Sequence, residues 1–326
     1  MKTTRLGHSG LQCEAIGLGT WAMGGWMWGG GDDAAAVDAI RASLDAGIRL
    51  IDTAPAYGLG HAERLVGQAL KGRRQEAIVA TKCGLIWHTQ KGTHFFDENG
   101  IAVYRHLGRA SIFHEVEQSL TRLETDYIDL YITHWQDATT PVAETMGALL
   151  DLKAQGKIRA IGVSNVSPET LLEYLTHGPV DAIQERYSLI DREIESTLLP
   201  ICADANIAVL GYSSLAMGLL AGPIAPERRF TGDDQRVDHP RFSAENRAKL
   251  QAFFRELAPL RERLGCTFAQ LMIAWTVAHG RVSVALCGAR TAEQAVQNAG
   301  AGGVALESAY LALIDSAALR HLGKSF

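Results

Sequence analysis

Cysteine is scarce in this chain, and its distribution argues against a disulfide-stabilised scaffold. The 326 residues contain five cysteines, an odd number, and no two stand at the spacing of a metal-binding pair. Reduced thiols are therefore expected, as in a cytoplasmic protein. Long apolar runs are missing as well. No stretch of about 18 apolar residues predicts a membrane span, and Met1–Leu11 lacks the apolar segment of a signal peptide.

Strong charge of either sign is also absent. The formal net charge is −5, and such a weak acidic balance gives no electrostatic footprint for nucleic acid or an anionic membrane. Hydrophobic residues make up 47% and charged residues 21% of the chain, which is the usage of a globular protein with a large core. His134 and Asp137 offer two metal ligands, but no third stands at a supporting spacing, so no metal is expected.

Short apolar runs alternate with longer amphipathic ones along the chain. Such alternation is typical of βαβ units and a parallel sheet. Eight short runs predict strands: Ala15–Leu18, Arg49–Asp52, Ile78–Thr81, Tyr127–Thr133, Ile158–Val163, Val180–Gln184, Ala208–Tyr212 and Val282–Leu286. Apolar residues at spacings of three and four predict helices: Ala34–Ala46, His61–Leu70, Ile112–Leu123, Val142–Ala154, Pro168–His177 and Ser243–Leu264.

Eight strands with intervening helices favour one closed (β/α)₈ TIM barrel, so residues 1–326 are predicted to form a single α/β domain. Three features fall outside the repeating unit. Thr3–Glu14 predicts an N-terminal hairpin that closes the bottom of the barrel. Gly218–Phe242 is rich in Gly, Pro, Arg and Asp without any period, which predicts a long functional loop. Glu307–His321 predicts an extra C-terminal helix.

Polar side chains of different kinds stand at the ends of the predicted strands. In a barrel of this type the active site lies at the carboxyl ends of the strands. Asp52 ends the second strand, Tyr57 stands in the loop after it, Lys82 follows the third strand and His134 follows the fourth. Each has an ordinary structural explanation when it is taken alone, such as a cap or a packed aromatic. Their convergence at one mouth of the barrel favours a catalytic site.

The motifs around these residues resemble those of the aldo-keto reductases. The matching runs are GLGTW at Gly17–Trp21, LIDTAPAYG at Leu50–Gly58, ATK at Ala80–Lys82, YITHW at Tyr131–Trp135, GVSN at Gly162–Asn165 and GAR at Gly288–Arg290. They keep the family's order and cover nearly the whole chain. The segment Met27–Gly29 and Trp87 look most like a bacterial branch of general stress reductases.

The resemblance implies an NADPH-dependent oxidoreductase that reduces aldehydes or ketones to alcohols by direct hydride transfer. The family's catalytic tetrad falls on Asp52, Tyr57, Lys82 and His134, with Tyr57 as the general acid. A free phenol has a pKa near ~10, and an ammonium at ~4 Å is expected to lower it toward neutrality. Asp52 would keep Lys82 charged, and His134 would orient the carbonyl and donate to the developing oxyanion.

The resemblance also implies which residues bind the cofactor. Tyr212 would stack on the nicotinamide ring, and Arg290 would bind the 2′-phosphate of NADPH. Gly288 and Gln294 depart from one branch of the family, which has lysine and arginine there, so NADH is also possible. The full set is Gly19, Thr20, Trp21, Asp52, Ser164, Asn165, Gln184, Tyr212, Ser213, Leu215, Gly218, Leu219, Gly288, Arg290, Gln294 and Asn298.

Four tryptophans in predicted strand-end loops suggest an apolar substrate pocket. They are Trp21, Trp28, Trp87 and Trp135. Ordinary packing explains any one of them equally well. The implied partner is a small-molecule carbonyl compound, and a monomer is the default assembly.

Two other functions stay open at this point. A Schiff-base lyase on the same barrel could use Lys82 as its nucleophile. A non-catalytic redox sensor would bind NADP without turning over any substrate.

Overall fold

Eight parallel strands form the centre of the computed structural model, which describes residues 1–225, 227–278, 282–323 and 326. The described strands are, in chain order, β1 (Thr3–Arg5), β2 (Gln12–Glu14), β3 (Ile16–Gly19), β4 (Leu50–Asp52), β5 (Ile78–Cys83), β6 (Leu85–Ile86), β7 (Thr93–Glu98), β8 (Ile101–Arg105), β9 (Ile128–Thr133), β10 (Ile158–Ser164), β11 (Ala182–Arg186), β12 (Ala208–Tyr212) and β13 (Val284–Gly288). The closed barrel runs through β3, β4, β5, β9, β10, β11, β12 and β13. The predicted (β/α)₈ barrel is confirmed.

The α-helices of the described part lie around the barrel. They are α1 (Asp33–Asp45), α2 (His61–Leu70), α3 (Arg109–Leu123), α4 (Val142–Ala154), α5 (Pro168–His177), α6 (Leu198–Asp204), α7 (Ala244–Leu264), α8 (Phe268–Ala278), α9 (Ala292–Gly300) and α10 (Ser308–His321). Several begin at caps that are visible in the sequence. Asp32 accepts a hydrogen bond from the amide of Ala35, and Ser167 accepts one from Thr170. Within the described ranges, no helix is both long and apolar enough to cross a membrane.

The two-residue repeat of the strands decides which side chains face the inside of the barrel. Leu50, Ala80 and Leu210 belong to the inner core, whereas their neighbours Ile51 and Val79 pack outward against the helices. The next inward position after each of those inner residues is polar: these positions hold Asp52, Lys82 and Tyr212. One alternation therefore fills the barrel with apolar side chains and places polar ones at its carboxyl mouth.

Space inside the barrel is limited around Gly17, an inward position on β3. A Cβ atom on Gly17 would lie 2.7 Å from Cδ2 of Leu286, which is closer than real side-chain contacts allow. The opening of the GLGTW motif therefore reflects packing within the barrel.

The β1–β2 hairpin closes the amino end of the barrel. Its strands pair antiparallel, with Thr4 opposite Cys13. Leu6 is fully buried and belongs to the inner core, and the carboxylate of Glu14 accepts a hydrogen bond from the amide of Arg49 at 3.2 Å, just before β4. The predicted hairpin is confirmed at the bottom of the barrel.

Three helices have no counterpart in the sequence prediction. The segment of α8 (FAQLMIAWTVA) is apolar on every side and largely buried, so it shows no amphipathic period. α6 is only seven residues long, and α9 consists mainly of small and polar residues. The last barrel strand begins at Val284 rather than at the predicted Val282.

A second sheet, which we call the flap sheet, follows the third barrel strand and was not predicted. β6, β7 and β8 pair antiparallel in the order β6-β8-β7. Asn99 and Gly100 form the two-residue turn between β7 and β8, with φ of 51° and 79°. Asn-Gly is the sequence signal for such a hairpin turn, so the flap sheet could have been found from the sequence.

A buried carboxyl group lies behind the end of β5. Glu115 on α3 accepts hydrogen bonds from the amide of Gly84 at 2.7 Å and from the hydroxyl of Ser111 at 3.1 Å. Burial raises the pKa of Glu115 to about 8, because the two hydrogen bonds only partly offset the loss of water. The backbone that follows Lys82 is thus anchored by a carboxyl group that is mostly protonated at neutral pH.

Candidate active site

Two charged side chains are buried together at the carboxyl mouth of the barrel. Lys82 is fully buried and Asp52 is 4% exposed. The ammonium of Lys82 donates to both carboxylate oxygens of Asp52, at 2.8 and 3.0 Å, and to the carbonyl of Thr53 at 2.8 Å. A buried ion pair persists only when its hydrogen bonds are satisfied. Because these contacts occupy Lys82, its amine is not a free nucleophile, which disfavours the Schiff-base lyase.

Tyr57 lies against this ion pair. The ammonium of Lys82 is 3.2 Å from the phenolic oxygen of Tyr57. The phenol ring lies between Trp21, at 6.3 Å between ring centroids, and His134, at 5.8 Å in an edge-to-face arrangement. The loop carrying Tyr57 presses on Gly24, where a Cβ atom would come within 2.7 Å of the Tyr57 carbonyl carbon. The structure thus brings the four predicted tetrad residues together.

Burial shifts the pKa of three of these groups. Burial raises the pKa of Tyr57 well above its usual value, and the Asp52 carboxylate adds to that effect. Burial lowers the pKa of Lys82 in spite of Asp52, and burial together with Lys82 lowers the pKa of His134 well below its usual value. The expected lowering of the phenol pKa by Lys82 does not occur, because Asp52 compensates the ammonium charge and burial disfavours the phenolate.

A network of amide and hydroxyl groups continues from the tetrad. Gln184 donates to Asp52 at 2.7 Å, and the hydroxyl of Ser164 donates to the carbonyl of Gln184 at 2.5 Å. Asn165 donates to the carbonyl of His134 at 2.8 Å and accepts from the hydroxyl of Tyr212 at 2.9 Å. Asn165 has a φ of 54°, a left-handed conformation that is uncommon outside glycine and that concentrates at functional sites.

One cavity of about 720 Å³ extends from Tyr57 and His134 to Arg290 and Asn298. The predicted cofactor residues line it, with the exception of Thr20 and Leu219. Both of those side chains are fully buried. Thr20 instead donates from its hydroxyl to the carbonyl of Asp52 at 3.0 Å, which anchors the loop after β3.

The far end of the cavity has features that suit a phosphate-bearing ligand. Gly218 and Gly288 line it, and no protein atom lies within 4 Å of the position that a Cβ atom would take on either residue. The α9 helix begins there, capped by the side chain of Thr291, and Arg290 precedes that cap. A helix N-terminus beside a guanidinium is a favourable place for a phosphate. The residues present therefore fit an extended dinucleotide.

Arg290 also holds the loop after β3. Its guanidinium donates to the carbonyls of Trp28 at 3.1 Å and Gly30 at 2.6 Å. Its backbone amide donates to the side chain of Gln294 at 2.8 Å. Two of the five side-chain N–H donors of Arg290 bind main chain, which leaves three for a ligand within the part of the chain that the structure describes.

The predicted long loop is connected to the same β3 loop, and we call this connection, formed by residues 26–31 and 231–236, the latch. Asp233 accepts hydrogen bonds from the amides of Met27 and Gly29, both at 3.0 Å. The backbone amide of Gln235 donates to the carbonyl of Met27 at 3.0 Å. Arg236 is paired with Asp234. Short 3₁₀ turns at Ala216–Ala221 and Pro240–Phe242 bound this loop, and Pro226 within it lies outside the described residues.

Aromatic side chains surround the mouth of the cavity on the tetrad side. Trp21, Trp28 and Trp135 line it as predicted, but Trp87 does not. Trp87 packs instead against the small cluster of Ala56, Leu85 and Val103, of which Ala56 and Leu85 line the cavity.

The sequence analysis missed three aromatic residues of this wall. Trp26 stacks on Phe96 with 4.9 Å between ring centroids, and Phe95 packs on Trp135 at 5.1 Å. A β-bulge between His94 and Phe96 lets the consecutive residues Phe95 and Phe96 both reach the cavity. Trp26 stands in the same predicted strand-end loop as Trp28, so the same criterion could have indicated it. Recognition of the Asn99-Gly100 hairpin could have indicated Phe95 and Phe96.

The fold and the site together define a barrel enzyme of the aldo-keto reductase type. The model of the aldo/keto reductase family matches residues 15–319. The chain belongs to this family, as its motifs predicted.

Individual relatives agree with this assignment. The chain is 41% identical to the NADH-specific methylglyoxal reductase of Escherichia coli K12 over 315 residues, which is 95% of this chain and 96% of that protein. Among solved structures, the glycerol dehydrogenase AKR11B4 from Gluconobacter oxydans superposes with a TM-score of 0.87 at 40% identity, covering 96% of this chain and 94% of the other. An aldo-keto reductase from Klebsiella pneumoniae in complex with NADPH superposes with a TM-score of 0.75 at 31% identity, covering 97% and 95%.

Proposed function

We propose that this protein reduces aldehydes or ketones to alcohols by direct hydride transfer, with Tyr57 as the general acid. The observation that carries the proposal is the contact between the Lys82 ammonium and the Tyr57 hydroxyl at 3.2 Å, beside His134 and at the end of a long cavity. A phenol within hydrogen-bond reach of a buried ammonium can deliver a proton to a growing oxyanion. Small carbonyl compounds that fit an aromatic-walled pocket are the proposed substrates.

The proton transfer follows from the protonation states of the site. When bound, a reduced nicotinamide supplies the hydride to the carbonyl carbon. A phenol is protonated at neutral pH even at its usual pKa near ~10, and the pKa of Tyr57 is raised further. Its proton is therefore present when the carbonyl oxygen becomes negative. Lys82 then stabilises the phenolate that is left, and Asp52 keeps the ammonium in place.

His134 acts in this proposal as a neutral hydrogen-bond donor. Its lowered pKa keeps the imidazole uncharged at neutral pH. The Nδ1 atom is buried and has no hydrogen-bond partner among the residues that the structure describes. The proton is therefore assigned to Nε2, from which it can orient the carbonyl oxygen.

NADPH is the proposed cofactor, with NADH as an alternative. Arg290 and the capped start of α9 provide a site for the additional 2′-phosphate. The Klebsiella pneumoniae relative binds NADPH, whereas the Escherichia coli relative is named NADH-specific. Because relatives of both kinds exist, the preference is best decided by measurement on Arg290.

The experiment that tests the function is NADPH oxidation with 4-nitrobenzaldehyde by wild-type protein and Tyr57→Phe. We expect kcat to fall by about 100- to 10,000-fold in the variant, because the general acid is removed while the ring remains. NADPH binding, followed by quenching of tryptophan fluorescence, should be unchanged. Tyr310→Phe on α10 is the matched control and should retain full activity.

Two outcomes would contradict the proposal in different ways. Unchanged turnover by Tyr57→Phe would refute the assignment of the acid. Tight NADPH binding by the wild-type protein, without turnover of any carbonyl compound in a substrate panel, would favour the redox sensor.

A further inference from the structure

Arg186 contributes a guanidinium group to the cavity wall that the proposed mechanism does not use. It is the last residue of β11, two positions beyond Gln184, so both side chains point to the same side of the strand. Both residues line the cavity, and Arg186 pairs in register with Tyr212 on β12. The register on neighbouring strands places Arg186 next to Tyr212. Burial raises the pKa of Tyr212, and the Arg186 guanidinium opposes that rise.

Two of the other cationic groups at the cavity are paired with carboxylates. Lys82 is paired with Asp52, and Arg236 is paired with Asp234 at 2.6 Å. Arg290 donates to two main-chain carbonyls. Like Arg290, Arg186 forms no ion pair with a carboxylate in the described ranges, and its side chain is exposed.

Neighbouring carboxylates are directed elsewhere. Glu185 accepts a hydrogen bond from the amide of Val166 at 3.0 Å and is buried. Asp191 is held by Arg241, at 2.8 and 3.1 Å, and by the hydroxyl of Ser188. Burial lowers the pKa of His239 near the same rim, and Arg241 and Arg186 add to that effect. This side of the cavity therefore presents a positive charge that the protein does not neutralise.

We propose that Arg186 binds a carboxylate on the substrate, so that the enzyme acts on short compounds that carry both a carbonyl and a carboxylate group. This inference rests on the proposed function. The side-chain nitrogen of Gln184 lies 2.7 Å from a carboxylate oxygen of Asp52, so Gln184 stands at the level of the tetrad. Two residues along a strand span about 6.6 Å, which places Arg186 that much closer to the opening of the barrel. A substrate carboxylate that is a few bonds away from the reacting carbonyl group can therefore reach the Arg186 guanidinium. A guanidinium binds carboxylates through two parallel hydrogen bonds.

The phosphates of the cofactor are the competing anion. The opposite part of the cavity offers them the open main chain of Gly218 and Gly288 together with Arg290. Arg186 is separated from that region by Tyr212 and lies on the β11 side, next to the tetrad layer. The arrangement favours the substrate as the source of the anion.

The test compares 4-oxobutanoate with its methyl ester, which present the same aldehyde with and without a negative charge. Arg186→Met should raise KM for 4-oxobutanoate by about ten-fold or more, the usual loss when a hydrogen bond to a charged group is removed. KM for the ester and Kd for NADPH should not change. Arg186→Lys should keep part of the preference because it keeps the charge. Arg5→Gln, which removes one charge at the opposite end of the barrel, should leave the preference intact.

Three results would overturn the proposal and leave the reductase function standing. The first is an equal KM for the acid and the ester in the wild-type protein. The second is an unchanged preference in Arg186→Met. The third is a higher Kd for NADPH in that variant with no difference between the two substrates, which would assign the guanidinium to the cofactor.

A binding measurement decides the matter if neither compound is turned over. Calorimetric titration of NADP⁺-loaded protein with succinate requires no catalysis. Binding to the wild-type protein that is lost in Arg186→Met supports the proposal, whereas equal binding, or no binding to either protein, overturns it.

Discussion

Burial controls the protonation of the polar side chains at the mouth of the barrel. Tyr57 and His134 are shifted in opposite directions, because burial disfavours the phenolate of one and the imidazolium of the other. Lys82 and Asp52 compensate one another at 2.8 Å. The site therefore holds an acid and a neutral donor that keep their protons over a wide pH range.

The pH dependence of kcat follows from these shifts. The imidazole of His134 is neutral above its lowered pKa, and Tyr57 is protonated below its raised pKa. We predict that kcat for reduction does not change as pH falls from about 7.5 to about 6, the range in which an unshifted histidine with a pKa near 6.5 would gain its proton. Steady-state kinetics at saturating NADPH measure this profile. A fall in kcat centred near pH 6.5 as pH is lowered would contradict this prediction. If the same fall is present in His61→Asn, a surface variant, it would show that His134 titrates normally.

Arg290 is predicted to decide between the two nicotinamide cofactors. Arg290→Ala removes the guanidinium beside the start of α9, so kcat/KM with NADPH should fall about ten-fold more than with NADH. The substitution also removes the hydrogen bonds to Trp28 and Gly30. Equal losses with both cofactors would therefore show that Arg290 only positions the β3 loop.

At the scale of elements, loops from different strands join to enclose the cavity. The latch ties the loop after β3 to the segment after β12 through Asp233, which accepts from Met27 and Gly29. The flap sheet adds Phe95 and Phe96 from the loop after β5. The latch joins segments that are distant in sequence, and the flap residues contact Trp26 and Trp135 from other loops. Both sets of contacts therefore depend on the barrel, which brings the strand ends together.

Opening the latch is predicted to speed the release of the cofactor. Asp233→Ala removes two hydrogen bonds between the loops, and NADP⁺ should dissociate roughly ten-fold faster. Stopped-flow tryptophan fluorescence measures that rate. Asp238→Ala, in the same exposed segment, is the control and should match the wild-type protein. An unchanged rate in Asp233→Ala would show that the latch does not retain the cofactor.

At the scale of the whole molecule, buried carboxyl groups couple stability to pH. The pKa of Glu115 is raised to about 8 in the folded protein, above about 4.3 for an unfolded glutamate. The stability that this group contributes is complete below pH ~4.3 and is lost as pH rises toward 8, at no more than about 1.4 kcal/mol per pH unit.

Glu115→Gln should therefore become more stable relative to wild type as pH rises from 5 to 8. The amide can still accept a hydrogen bond from Gly84, and it has no proton to lose. Urea unfolding at several pH values measures the difference in free energy of unfolding. Glu173→Gln, an exposed position on α5, should show no such trend. If the difference in free energy of unfolding between Glu115→Gln and wild type does not change with pH, the raised pKa of Glu115 is contradicted.

Local patterns in the sequence determined the barrel, the order of its strands, the hairpin in front of it and the four residues Asp52, Tyr57, Lys82 and His134. This was possible because apolar alternation and strand-end position are properties of short segments. The helix α8 was not predicted, because a helix that is buried on all sides has no amphipathic period in its sequence.

Only the tertiary structure decided which aromatic and charged side chains face the cavity. Trp87 does not line the cavity, whereas Trp26, Phe95 and Phe96 do, because a bulge and an interloop stack orient them. The direction of the Tyr57 pKa shift also depends on burial and on Asp52, which no spacing reveals. Arg186 could be identified as an unpaired cation only once its neighbours across the barrel were known, because charge pairing is set by contacts between distant segments.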